Sequence, residues 1–501
     1  MISIVDIFAA LLAFVVGYAV RRYFIFTSGE RKTNLPFIKG FNFFVGSNDI
    51  IFTNNKVLAV NAHDRHQELG DTFGCYFGQN MQVFSRDIDL VYKICVTDFQ
   101  KHRNRYYVNS LSPYMKASLL EARDNKWQTS RRAVGSVLKA SKLKMDNVDT
   151  DIDLTIGRMI ASIDRKLKEA KALGNDTVMD AYQINKNFFM QSILKIIYDT
   201  EKLVDFDNDR NDVVEEMHNF VNVNYEFIAR ICFLIPILTD LVRPLLGFFD
   251  HGKYLGLLTQ KLEEILTRTL NSFKDQKQLD QRRLTTIHSL INSYRKGELS
   301  RQQLMGNAVF LMLAGFATSV DTMSALMWEL ARNQDVQDKL RADLLQYGEG
   351  SKYLEQCINE TLRLYPGAMT NRDLSESVFH NDFRLVKGLC FNISIYSIHR
   401  DPRHWGSDAE EWKPERFDES KAANFHPAQF IPFGIGPRNC VGYNLARLEL
   451  AKFTVQFVLK YKVEFCPETP RKLSFVPLGA LPFALPIQGP VMLKLTPATG
   501  A

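Results

Sequence analysis

None of the seven cysteines lies in a C-x-x-C pair. Their scatter (positions 75, 95, 232, 357, 390, 440 and 466) offers no disulfide framework and argues against zinc and dithiol redox chemistry. An odd, unpatterned set suits a reducing compartment. Dense Lys/Arg runs interleaved with aromatics are missing, so the net charge of +6 does not point to nucleic acid. No G-x-G-x-x-G follows a strand pattern, which leaves the chain without a dinucleotide or flavin module of its own. Low-complexity segments, internal repeats and long linkers are absent too. What remains is ordinary globular composition, 46% hydrophobic and 24% charged over 501 residues. The simplest division is one large domain with an N-terminal appendage.

The appendage is apolar from Ile2 to Val20, with Arg21-Arg22 and Arg31-Lys32 behind it. About 19 helical residues just span a bilayer core of roughly 30 Å. A cleaved signal peptide carries its positive charge in front, whereas here Asp6 is in front and the arginines follow. The expectation is an uncleaved anchor over residues 1–22, a basic and Pro/Gly hinge over 23–40, and a domain over 41–501. By the positive-inside rule that domain stays in the cytosol.

One stretch carries the chemistry: Phe433-Gly-Ile-Gly-Pro-Arg-Asn-Cys-Val-Gly442, followed by a helical pattern from Tyr443. A cysteine at a helix N-terminus sits where backbone N–H groups favour the thiolate. Gly434, Gly436 and Gly442 let the backbone fold tightly and something flat come close. Arg438 is placed to hold a carboxylate bidentately. Together these suggest haem ligation, against the bland alternative of a buried free cysteine in a turn.

The spacing F-x-x-G-x-R-x-C-x-G resembles the haem signature of the cytochrome P-450 family at every fixed position: Phe433, Gly436, Arg438, Cys440 and Gly442. The resemblance implies that Cys440 is the proximal ligand of haem b (iron-protoporphyrin IX). It also implies that Trp127 and Arg131, in a W-x-x-x-R pattern, hold a propionate. Arg372 is a further candidate for that role, with Arg103 and Arg105 weaker ones. Ser300-Arg-Gln-Gln303 predicts a capping box opening a helix to about Arg332. Ala314-Gly-Phe-Ala-Thr-Ser319 within it resembles the family's distal motif, with Thr318 as the hydroxyl at the oxygen site. Ala317 stands where the motif has an acid. Asp321, about 60° from Thr318 around the helix, is the candidate substitute, with a solvated or capping acid as its alternative. Glu360-Thr-Leu-Arg363 with Arg416 resembles the family's structural triad. The two histidines of His399-Arg-Asp-Pro-Arg-His404 are expected to make structural hydrogen bonds.

The signatures run in the family's order from Trp127 to Gly442, and the flanking sequence to Leu495 also fits. The likeness, covering nearly the whole chain after the anchor, implies a mainly α fold with a small β portion. Its nearest form is the eukaryotic microsomal clan of drug oxidases and thromboxane synthase. The implied activity is monooxygenation of a lipophilic molecule at the endoplasmic reticulum membrane. Electrons would come from NADPH through a separate NADPH-cytochrome reductase, with cytochrome b5 as a second partner and Lys139, Lys142 and Lys144 as a docking face. The thiolate favours O–O cleavage. Two alternatives stay open: an isomerase or lyase acting on peroxides, which needs no proton relay, and a haem protein without catalysis.

Overall fold

The structure, a computed structural model, describes residues 4–38, 57–77, 80–106, 113–145, 148–174, 177–200, 204–208, 211–222, 285–476 and 484–498, with a few helical residues between 260 and 267. The proline-broken run Phe233–Phe249 and the turn Leu478–Phe483, both expected near substrate, lie outside them.

The longer helices are α1 (Ile4–Thr33), α2 (Leu58–Leu69), α3 (Asp124–Gly135), α4 (Val148–Ala172), α5 (Ala181–Ile196), α6 (Asp212–Asn222), α7 (Thr286–Arg295), α8 (Arg301–Arg332), α9 (Gln334–Tyr347), α10 (Lys352–Leu364) and α11 (Tyr443–Lys460). The strands are β1 (Thr72–Phe77), β2 (Asn80–Ser85), β3 (Val178–Asp180), β4 (Thr370–Asp373), β5 (Val378–His380), β6 (Phe383–Leu385), β7 (Cys390–Ile393), β8 (Tyr461–Glu464) and β9 (Met492–Pro497). They pair as β1-β2-β7-β4, β3-β9-β8 and β5-β6. Helix dominates and the β portion is small, as the sequence suggests.

α8 is the axis. Ser300 Oγ accepts the Gln303 N–H at 3.2 Å and Gln303 Oε1 accepts the Ser300 N–H at 3.1 Å, which closes the capping box. The helix then runs to Arg332 as the sequence predicts. Among the described residues it is the one helix long and apolar enough to cross a bilayer, yet 78% of that stretch is buried. A helix apolar on all sides and surrounded by others is a core helix. Its neighbours include α5, α10, α11, β8 and the short helix Pro113–Ala117.

The apolar runs near residues 73–77 and 81–84 form a hairpin, Thr72 opposite Ser85, and β2 continues in parallel with β7. Strand character stops at Ser85. Asp87 accepts the Leu90 N–H at 2.9 Å and so caps a short helix, Ile88–Tyr92, which passes into a π-helical turn, Lys93–Thr97. The cap outweighs the apolar run.

The N-terminal boundary also moves. α1 does not end at Arg22 but continues to Thr33, because no proline or capping signal interrupts Tyr23–Lys32. Tyr76 Oη donates to the Ile25 carbonyl at 2.8 Å, and Asn34 Nδ2 donates to the Asp382 carbonyl at 2.8 Å. Residues 23–33 are therefore helix bound to the domain rather than hinge. Towards the start of α1, Leu12, Val16 and Val20 are exposed.

α10 is stapled to the segment ahead of the cysteine loop. Glu360 and Arg363 are fully buried and joined at 2.7 and 2.8 Å. Arg416 Nε reaches Glu360 at 3.3 Å, and the Lys413 N–H donates to it at 2.8 Å. Arg363 also donates to the His399, Ala409 and Glu411 carbonyls. This buried pair thus has the further hydrogen bonds that make such burial tolerable.

Candidate active site

A cavity of about 360 Å³ lies between α8 and the loop Ile431–Gly442. Phe310, Ala314, Gly315, Thr318 and Thr322 face it from α8, spaced as one helical stripe. Trp127, Arg131, Phe433, Arg438, Cys440 and Gly442 face it from α3 and the loop.

The loop is built by its own turns. The Cys440 N–H donates to the Phe433 carbonyl at 2.8 Å and the Asn439 N–H to the Gly436 carbonyl at 3.0 Å. Gly436 has φ +76°, and a Cβ there would sit 2.0 Å from the Cys95 carbonyl oxygen of the π-helical turn. Only glycine permits that approach. Gly442 differs: nothing lies within 4 Å of where its Cβ would be, so it leaves open space beside the sulfur. His399 ties the loop to the stapled segment. Its Nε2 accepts the Ile431 N–H at 3.0 Å, and its Nδ1 meets the Arg363 carbonyl at 3.2 Å. Burial and then the Arg363 charge push this imidazole down to about 3, so it is neutral and structural, as the sequence suggests.

The Cys440 sulfur is accessible by area only because it faces the cavity; protein surrounds it on every other side. Burial pushes its thiol up, while the Gly442 N–H and then Arg131 and Arg105 pull it down. Those opposing groups are the ones that a thiolate at this position would use.

Guanidinium groups converge beside it. Arg438 stacks over the Trp127 ring at 4.8 Å and donates to the Ala122 carbonyl, but its Nε and Nη1 are buried without a partner. The Arg105 and Arg372 Nε atoms are buried and unpartnered too. Burial, then the charges of Arg105, Arg372, Arg123 and Arg131, push Arg438 down to about 8. Burial and Arg372 push Arg105 down to about 10. Among the described residues none of Arg105, Arg131, Arg372 and Arg438 makes an ion pair, and Glu121 is the one carboxylate lining the cavity. A group carrying two carboxylates would satisfy this cluster, and haem is such a group. The residues fit it.

The sequence candidates do not all fall where expected. Arg131 turns partly to the loop, donating to the Asn439 carbonyl at 2.7 Å and to its Oδ1 at 2.6 Å. Arg372 lies buried behind the cavity wall, donating to the Asn371 carbonyl at 2.7 Å. Arg105, the weaker candidate, lines the cavity, whereas Arg103 pairs with Asp124 outside it. Thr318 faces the cavity and donates to the Ala314 carbonyl at 2.7 Å. Asp321 does not share that space. Its Oδ1 accepts the Ile487 N–H at 3.1 Å and the Tyr182 hydroxyl at 3.3 Å. Sixty degrees around α8 carry it off the cavity stripe into the core, which removes it as a direct partner of Thr318. The lysines near the loop divide: Lys139 and Lys144 are exposed, Lys142 half-buried.

The family profile for cytochrome P450 matches residues 43–489. The chain belongs to the cytochrome P450 family. Relatives include probable cytochrome P450 6w1 of Drosophila melanogaster, 26% identical over 81% of each chain. Cytochrome P450 3A5 of Homo sapiens is 25% identical over 87% of this chain and 86% of its own. A lithocholate 6-beta-hydroxylase of Mesocricetus auratus is 25% identical over 87% of each. This P450 is accordingly a monooxygenase of a haem-binding family, and the alternative without catalysis falls away.

Proposed function

We propose that this P450 is a membrane-anchored haem-thiolate monooxygenase acting on bulky lipophilic molecules. One observation carries the reading: the Cys440 sulfur and a cluster of buried, unpaired guanidinium groups face the same apolar cavity. Cys440 would ligate the iron of haem b, with the Gly442 N–H and Arg131 steadying its negative charge. Arg438, Arg105, Arg131 and Trp127 would hold the propionates, with Arg372 contributing charge from behind. When bound, the haem supplies an iron at which O2, two electrons and two protons yield one oxygen atom for substrate and one water.

Thr318 has a single hydroxyl proton, now given to Ala314, so its oxygen is free to accept one from the cavity. With Ala317 carrying no acid and Asp321 turned away, protons reach Thr318 through cavity water. The exposed apolar residues Leu12, Val16 and Val20 of α1 would lie in the endoplasmic reticulum membrane with the domain in the cytosol. NADPH-cytochrome reductase, with cytochrome b5, would deliver electrons at the face carrying Lys139 and Lys144. The name of the Mesocricetus auratus relative makes lithocholate the first member of a substrate panel.

The test is direct. Wild-type protein reconstituted with haem gives a thiolate-type ferrous carbonyl band, and Cys440→Ala loses it. With reductase, NADPH and O2, members of the panel are hydroxylated. A wild-type band without the thiolate signature overturns the reading. The second reading, peroxide isomerisation, is favoured by the lack of any α8 carboxylate beside Thr318. Turnover of an organic hydroperoxide with no hydroxylation would install it instead.

A further inference from the structure

A second cavity, about 580 Å³, lies away from Cys440 between α4, α5, the start of α6 and the β3–β9 pair. It meets the other end of α5: Lys186 and Asn187 line it, whereas Ile193 and Ile197 line the first cavity. The six residues from Asn187 to Ile193 separate the two by about 9 Å along the helix. A volume of this size suits a small organic molecule.

Its walls are asymmetric. Ile163 and Leu167 of α4, with Phe206, make an apolar side. Opposite sits Lys186, whose side chain is 7% exposed. An ammonium so deeply placed needs strong acceptors for its three donors. Among the described residues it has one, Glu215 Oε1 at 3.4 Å, well beyond the 2.7–2.9 Å of a tight charge-assisted bond. Glu215 stands at the rim with its side chain 35% exposed, so it can turn to water at little cost. Asp180 lines the cavity too, but among the described residues it makes no ion pair with Lys186, whose partner is Glu215. The Asp180 Oδ1 accepts the Tyr182 N–H at 2.9 Å and the Val491 N–H at 3.0 Å. Lys166 adds a second cation to the wall.

We infer that this cavity binds a small amphiphilic monocarboxylate, its carboxylate taking Lys186 from Glu215 and its apolar tail lying along α4. The site is independent of the haem cavity, and its occupant is a bound ligand, not the substrate.

The experiment uses the full-length haem protein with the first cavity filled by clotrimazole, whose Soret shift reports that filling separately. Equilibrium dialysis with radiolabelled decanoate then counts one further equivalent bound, with decanol at least about tenfold weaker. Lys186→Met weakens decanoate binding by about tenfold or more. Glu215→Gln tightens it, because the competing acceptor loses its charge; a merely structural pair would give no such gain. Thermal melting and the carbonyl spectrum check that each variant is folded. No decanoate bound once clotrimazole is in place, or equal binding by Lys186→Met, or weaker binding by Glu215→Gln, overturns the inference. None of these outcomes touches the assignment of Cys440.

Discussion

Glu449 and Asp321 are carboxylic acids held inside the protein without a cation. Glu449, on α11 nine residues past Cys440, accepts the Ser192 hydroxyl at 2.5 Å. Burial pushes it up to about 8, and Asp321 likewise to about 8. Both are ionised in an unfolded chain above roughly pH 4. From there to about pH 8 the unfolded state binds fewer protons than the native one, so stability falls as pH rises and levels off beyond. Glu449→Gln keeps the hydroxyl bond and removes one of the two contributions. Its loss of stability from pH 5 to pH 8, read from urea midpoints, should be smaller than wild type's by on the order of 3 kcal/mol. An unchanged pH slope would mean that Glu449 is ionised in the fold. At this scale the sequence was a partial guide. Cys440, Arg438 and Trp127 were legible because fixed spacings mark them. Arg105 was legible only as a weaker candidate beside Arg103, since no spacing ties it to Cys440 and only the tertiary fold brings it, and not Arg103, to the cavity. The direction of Asp321 was unreadable for a related reason. Spacing gives its angle from Thr318, but not where on α8 the cavity ends and the core begins.

Elements with strong end signals were read well, and those decided by context were not. α8 announced itself through Ser300 and Gln303. The helix after Ser85 is decided by context: an apolar run continues past the strand, and the Asp87 cap turns it into helix. The staple on α10 belongs to both groups. Its Glu360–Arg363 spacing was visible, but the Lys413 N–H and three carbonyls that complete it come from residues far along the chain. Those partners fix the sign of a test. Glu360→Ala leaves a buried guanidinium uncompensated and should destabilise the protein by about 3–5 kcal/mol. Glu360→Leu with Arg363→Met removes both charges and should cost less than Glu360→Ala alone. Denaturant midpoints of the two variants decide it; a double variant worse than the single would show that the carbonyl contacts of Arg363 outweigh the pair.

Across the whole molecule, the mainly helical fold with a small β portion followed from the family likeness, whereas the junction of α1 with the domain did not. Composition marked Arg22 as an end, and nothing local revealed that Ile25 would meet Tyr76. Deleting residues 1–20 leaves that hydrogen bond and should change stability by less than about 0.5 kcal/mol. Deleting residues 1–30 removes it and should cost about 1–2 kcal/mol, read from urea midpoints of the two truncations. Equal midpoints would show that the last turns of α1 bear no load. Because α1 is one rod from Ile4 to its attachment at Tyr76 and Asp382, it has no swivel. Any tilt or twist imposed on its first turns arrives as torque at β1, in the same four-stranded sheet whose β4 carries Arg372.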